Sequence, residues 1–211
     1  MNCRPFETQP LPYPYDGLAP YIDAETLRVH HDVLYKRYVD KLNAALEKYP
    51  DYYCYSLEEL ILGSAWLPAP ISETVHDQAG GAFNHQFYFN TMDPAPNDLP
   101  KGGLKSAIDG TFGSFNEFRK AFKEKGMEVF GSGWTWLCMD PRGGLKIINT
   151  ANQDTPFGVG LHPIICADIW EHAYFLQYKA ARDQYLEAWF EVADWKKAGK
   201  TYDELSRCFQ A

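Results

Sequence analysis

Through residues 24–49 apolar side chains recur every three to four positions: Leu27, His30/His31, Leu34, Tyr38, Leu42, Ala45 and Leu46. That period predicts one long helix, with Asp23 as its N-cap and Pro50 as its stop. A second helix is predicted over residues 72–91, with Ser72 as N-cap and Glu73 in the first turn. Its centre reads Ala79-Gly80-Gly81-Ala82. Each glycine costs about 1 kcal/mol against alanine inside a helix, so the pair predicts a face that something must approach closely. Residues 1–20, rich in Pro and Tyr, read as an extended arm. Residues 51–70 read as a Tyr-rich connector around a short amphipathic piece, Leu57 to Leu62.

Residues 92–103 contain three prolines and two glycines and mark a domain boundary, dividing 1–92 from 93–211. Beyond it the period changes. Residues 104–110 suggest a short helix, and Ser114-Phe115-Asn116-Glu117 is a capping-box pattern opening a helix that ends near Gly126. Gly133 to Met139 alternates as a strand, Asp140 to Gly144 is a turn, and Leu145 to Ile148 returns. Ile164 to Ala167 reads as a short buried strand that delivers Asp168. Helices follow over 171–190 and 201–209. The expected class is α+β: an N-terminal two-helix antiparallel hairpin, then a C-terminal mixed α/β domain with a small three-stranded antiparallel sheet.

Composition adds a few boundaries. Six Trp, fourteen Tyr and thirteen Phe in 211 residues point to large rigid cores, interfaces or a dry cavity. A net charge of −8 argues against nucleic acid as a partner. The N-terminus has no apolar leader and no run is long enough to span a membrane, so no membrane partner is expected. The five cysteines are odd in number, scattered and free of CxxC spacing. They read as reduced thiols in a reducing compartment, with the cytoplasm as the default.

The candidate chemistry centres on Asp168-Ile169-Trp170-Glu171-His172. At helical or near-helical spacing its carboxylate and imidazole share one face. His30 lies on the apolar stripe of the first helix, and His85 follows Gly81 by one turn of the second. Three imidazoles and one carboxylate suit manganese, iron or zinc. Two would come from each domain, placing a site at their interface. Spacing alone leaves the plainer readings open: a buried Asp–His hydrogen bond, hydrogen-bonded core histidines, helix contact through the small residues. His31, His76 and His162 compete as candidates.

The chain resembles the iron/manganese superoxide dismutase family over almost its whole length. The resemblance is carried by Leu11-Pro12-Tyr13-Pro14-Tyr15-Asp16-Gly17-Leu18, Val29-His30-His31, Ala79-Gly80-Gly81-Ala82-Phe83-Asn84-His85, Gly131-Ser132-Gly133-Trp134-Thr135-Trp136-Leu137, Thr150-Ala151-Asn152-Gln153-Asp154 and Asp168-Ile169-Trp170-Glu171-His172-Ala173-Tyr174. It implies that His30, His85, Asp168 and His172 bind one manganese or iron ion per subunit, with superoxide as substrate and dioxygen and hydrogen peroxide as products. Gln153 matches a glutamine that contacts the metal's bound solvent, and glycine at 81 with glutamine at 153 resembles the manganese-type arrangement. Tyr38 matches a gateway tyrosine, and Trp134, Trp136 and Trp170 an aromatic cage. Glu171 and Tyr174 match dimer contacts, implying a homodimer or a homotetramer. Lys36, Arg37 and Arg182 are candidates for local anion attraction.

Three positions depart from the family pattern: Leu34 replaces a histidine of the proton relay, Ala82 a common histidine, and Phe89 a common tryptophan. Two rival readings stand beside the dismutase. One is a zinc hydrolase, which lacks an obvious general base near the ligands. The other is a non-catalytic metal-binding protein on the same fold.

Overall fold

The computed structural model describes residues 3–95 and 99–210. Asp23 caps the first helix as the pattern requires, its carboxylate accepting from the Thr26 amide at 2.7 Å. Helix α1 (Ala24–Arg28) passes into a π-helical segment, Val29–Tyr35, and then into α2 (Lys36–Leu46) without leaving helical backbone angles. The predicted long helix is therefore real, but its middle is wound wider than an α-helix and it ends at Leu46. π-Helical turns inside α-helices gather at functional sites, and this one carries His30.

The connector folds as a 3-10 turn (Pro50–Cys54), helix α3 (Leu57–Leu62) and a second 3-10 turn (Ser64–Trp66). Ser56 and Glu59 form a full capping box at α3. Helix α4 (Ala69–Asn90) then packs on α2 and α3. It begins three residues before the predicted start. Pro70 sits in its first turn, where a missing N–H costs nothing. Ser72 is thus inside the helix and donates its hydroxyl to the Ser64 carbonyl at 2.8 Å. Leu42, Leu46, Leu60, Ile61, Ile71, Val75 and Ala79 fill the hairpin.

In the linker, residues 96–98 lie outside the described residues. Helices α5 (Gly102–Phe112) and α6 (Phe115–Met127) follow, the latter capped by Ser114. Strands β1 (Gly133–Met139), β2 (Leu145–Ala151) and β3 (His162–Asp168) form an antiparallel sheet in the order β2-β1-β3. The central strand β1 is buried along its whole length, and its register sets Trp134 opposite Asp168. Strand β3 runs on through Asp168, one residue beyond the predicted strand.

The predicted helix over 171–190 is broken. Asp168 accepts from the Trp170 amide at 2.9 Å, and Trp170 is extended (φ −59, ψ 141), so no helix can start there. A 3-10 turn (Glu171–Ala173) comes instead, then α7 (Phe175–Tyr178), a break at Lys179 with φ 53, and α8 (Arg182–Phe190). Helix α9 (Trp195–Gln210) starts six residues before the predicted Thr201. Phe118, Phe122, Trp189 and Trp195 are the aromatic centre of this half, with Phe122 and Trp189 stacked at 5.0 Å. Among the described residues, no helix is long and apolar enough to cross a membrane.

The cysteines correct a second expectation. Cys3 and Cys54 form a disulfide, with Cα atoms 4.7 Å apart. Cys138 and Cys166 are buried thiols and Cys208 is an exposed one. A separation of 51 residues gave no hint of the pairing, because it depends on the arm folding back along α2. The bridge removes the cysteine-based reason for a reducing compartment.

Candidate metal centre

The hairpin and the sheet bring four ligand-bearing side chains together. His30 comes from the π-helical segment, His85 from the last third of α4, Asp168 from the end of β3, and His172 from the 3-10 turn after it. Their nitrogen and oxygen atoms all lie within 4.8 Å of one another. Asp168 Oδ2 sits 3.0 Å from His30 Nε2 and 3.1 Å from His172 Nε2. His85 donates its Nδ1 proton to the Gly81 carbonyl one turn back, at 2.7 Å. That bond fixes the tautomer and leaves Nε2 buried with no hydrogen-bond partner among the described residues.

Burial sets the protonation states. It holds the His30 imidazole down at about 4 and His85 well below the usual histidine range. Burial also pushes the Asp168 carboxyl up, but the charge and hydrogen bond of His172 and the contact with His30 outweigh it, and the group stays below the usual carboxylate range. The result is two neutral imidazoles, His30 and His85, beside an ionised, fully buried carboxylate. An isolated buried charge is costly, and an imidazole nitrogen without a partner adds to the cost. One cation among these four atoms removes both costs, and three nitrogens with one hard oxygen fit manganese or iron.

The other histidines have plainer partners. His31 is held by Asp32 at 2.7 Å and the Gln9 carbonyl at 2.8 Å. His76 lies between Ser64 and Asp154, 3.2 Å from each, and His162 packs on the Phe209 ring.

Gln153 is the hub of the surroundings. Its Nε2 donates to the Tyr38 hydroxyl at 2.9 Å. Its Oε1 accepts from the Trp134 indole at 3.2 Å and from Asn84 at 3.1 Å. Asn84 also binds the Gln153 carbonyl at 3.2 Å, so it grips both ends of the residue. The two glycines of α4 are now explained: a Cβ on Gly81 would overlap the Tyr38 ring, and one on Gly80 would overlap the Gln153 carbonyl oxygen. The cleared space serves the residues beside the ligands.

Trp134 meets His85 edge-on at 5.2 Å, and Trp170 stacks on His172 at 5.4 Å. Trp136 lies further back, against Trp134 and Phe87. Phe89 closes the cage on the His30 side, with ring centres 4.9 Å apart.

Above Tyr38 and Gln153 opens a cleft of about 380 Å³, lined also by Leu34, Arg37, Lys41, Asp77, Asn152 and Trp170. Arg37 lines this mouth. Lys36 is taken up by Asp40 at 2.7 Å. Arg182 is tied to the Tyr174 hydroxyl and the Val129 carbonyl, so it braces the fold and does not face the cleft.

Sequence reasoning missed Asn84 and Lys41. Asn84 carried a signal only in its place next to His85, and Lys41 only in standing one turn after Arg37.

Two outcomes follow. Gly81→Ala should push the Tyr38 ring aside and cost about 1–3 kcal/mol, the usual range for overpacking, read as a lower denaturant midpoint. In the metal-free protein His30 stays neutral down to about 4, whereas an unfolded histidine takes up a proton near 6.5. Between those values the unfolded chain binds more protons. Stability should therefore fall as pH drops from about 6.5 to about 4, read as a falling melting temperature in thermal scans with chelator present.

Comparison with known proteins agrees with this architecture. Residues 5–93 match the family described as "Iron/manganese superoxide dismutases, alpha-hairpin domain", and residues 100–201 match "Iron/manganese superoxide dismutases, C-terminal domain". The chain is 41% identical over its full length to a protein named manganese superoxide dismutase 3 of Leptolyngbya boryana, covering 85% of that protein. It is 40% identical to manganese superoxide dismutase 1 of the same organism, over 98% of this chain and 84% of the other. With its ligand cluster set between matching domains, the chain belongs to the iron/manganese superoxide dismutases, a family of oxidoreductases with one metal ion in each such centre.

Proposed function

We propose that this chain dismutates superoxide: two superoxide anions and two protons become one dioxygen and one hydrogen peroxide. A manganese or iron ion held by His30, His85, Asp168 and His172 would supply the chemistry by taking up and returning one electron. Manganese is the favoured ion, because glycine at 81 with glutamine at 153 resembles the manganese-type arrangement and the relatives at 40–41% identity are named manganese superoxide dismutases.

The observation that carries the proposal is the Tyr38–Gln153 pair at the floor of the cleft. Burial raises the Tyr38 hydroxyl above its ordinary range, so it stays protonated at neutral pH. Gln153 spends one N–H on that hydroxyl and has a second to direct at the centre. Together they can hold and pass a proton between the cleft and the ligands. Arg37 and Lys41 line the entrance. They favour a small anion there despite the net charge of −8. The cage of Trp134, Trp170 and Phe89 keeps bulk water from the ligands, and a dry site strengthens each of these polar contacts.

Leu34 occupies the cleft mouth with a side chain that neither gives nor takes a proton. Electron removal from superoxide needs no proton, whereas peroxide release needs two. Proton delivery then limits turnover at high substrate. Leu34→His should raise the rate of superoxide decay at high superoxide and leave it unchanged at low; no gain at high superoxide contradicts the assignment. Gln153→Ala should reduce catalysis severely with the metal still bound, and unaltered activity in that variant contradicts the role given to Gln153.

We also propose a homodimer. Glu171 is exposed, and its carboxylate has no hydrogen-bond or ion-pair partner among the described residues. Exposed Phe175 and Leu176 lie just beyond it. Arg182, by holding both Tyr174 and Val129, brings the turn with fully exposed Phe130 to the same side. A second copy would cover this apolar surface, and Glu171 would meet the partner's imidazole at position 172. Glu171→Ala should weaken the dimer in sedimentation velocity runs and speed metal loss.

A further inference from the structure

The N-terminal arm is fastened at its start by the Cys3–Cys54 disulfide, and from Gln9 onward its hydrogen bonds reach residues beside His30. Asn43 of α2 pairs with Phe6 twice, receiving its amide proton at 2.9 Å and donating to its carbonyl at 2.8 Å. Gln9 donates its amide to the Tyr35 hydroxyl at 3.2 Å, and its carbonyl meets His31 Nε2 at 2.8 Å. Tyr15 bonds Asp32 at 2.6 Å. Tyr13 donates to the carbonyl of Phe89, whose ring packs on His30.

His31, Asp32 and Tyr35 belong to the same π-helical segment as His30. This segment is wound wider than an α-helix, and the arm braces it from the side through His31, Asp32 and Tyr35. The arm has no secondary structure of its own from residue 3 to residue 10. Its order rests on these anchors, and the only covalent one is the disulfide. Cys54 closes an exposed 3-10 turn, where a small thiol can reach it.

We propose that the Cys3–Cys54 bridge is an exchangeable thiol–disulfide site that sets how firmly the His30 side of the centre holds its metal. The reacting partner is a small dithiol or a pair of monothiols. A thiolate attacks Cys54 Sγ, the Cys3–Cys54 bond breaks, and Cys3 leaves as a thiolate that takes up a proton. The second thiolate then displaces Cys54 from the mixed disulfide. Two electrons pass to the protein, giving two thiols, and the reductant leaves as its own disulfide. Once released, the start of the arm is held only by hydrogen bonds and by the packing of Phe6 on Tyr53, and the His31 and Tyr35 contacts open more often. His30 then leaves the ion more often. This inference needs the four-residue centre but not the reaction proposed for it.

The test uses the full chain loaded with manganese and follows metal release to an excess of chelator, with and without dithiothreitol. Mass spectrometry after alkylation of the unfolded protein should count three free thiols before reduction, matching Cys138, Cys166 and Cys208, and five after it. Release should be several-fold faster in the reduced protein and slow again after reoxidation. Cys54→Ser should release metal at the fast rate with or without reductant. Five free thiols before reduction would overturn the proposal. So would release that is equally fast from oxidised and reduced wild-type protein, a comparison that does not depend on the variant folding. Loss of dismutase activity plays no part in the readout, so a failure here and a failure of the proposed reaction remain distinct.

Discussion

One buried carboxylate governs this structure. Asp168 has no exposed surface, stays ionised, and faces imidazoles that burial keeps neutral. Such a group is expensive in a protein interior unless a cation accompanies it. The layout of the chain supplies that environment. Strand β3 ends in Asp168, and its pairing with β1 sets Trp134 beside it. The amide of Trp170 binds the carboxylate and turns the chain so that His172 returns to it. The hairpin brings His30 and His85 from the other half. The ligand set therefore exists only when both halves are docked, and ion binding and domain docking stabilise each other.

The residues around the ligands are organised by Gln153, which reaches Tyr38 of α2, Asn84 of α4 and Trp134 of β1. A residue bonded to three elements cannot rotate freely. That rigidity would suit the role proposed for Gln153, orienting a proton near the metal. The glycine pair in α4 belongs to the same arrangement, since side chains there would displace Tyr38 and the Gln153 backbone. Stability given up inside the helix lets Tyr38 and Gln153 come close to it.

Much of this was legible in the sequence for physical reasons. The strand β1 and the helix α3 show in full because strand alternation and a short amphipathic run are local signals. The four ligands could be suspected from residue type and from their places on apolar faces, and the family motifs united them. What stayed hidden depends on contacts distant along the chain. The Asp168–His172 pair reads as one helical turn, but the carboxylate's own bond to Trp170 replaces that turn with a strand end and a 3-10 turn. The π-helical winding at His30 leaves no mark in hydrophobic period. The Cys3–Cys54 bridge and the grip of Asn84 on Gln153 join residues 51 and 69 positions apart, beyond any local pattern.

The most direct measurement is superoxide decay after pulse radiolysis, expressed per bound metal, on protein loaded separately with manganese and with iron. The account predicts fast, first-order catalysed decay with manganese, at a rate set by metal content. Tight binding of both ions at the four-residue centre with no catalysis from either would contradict it.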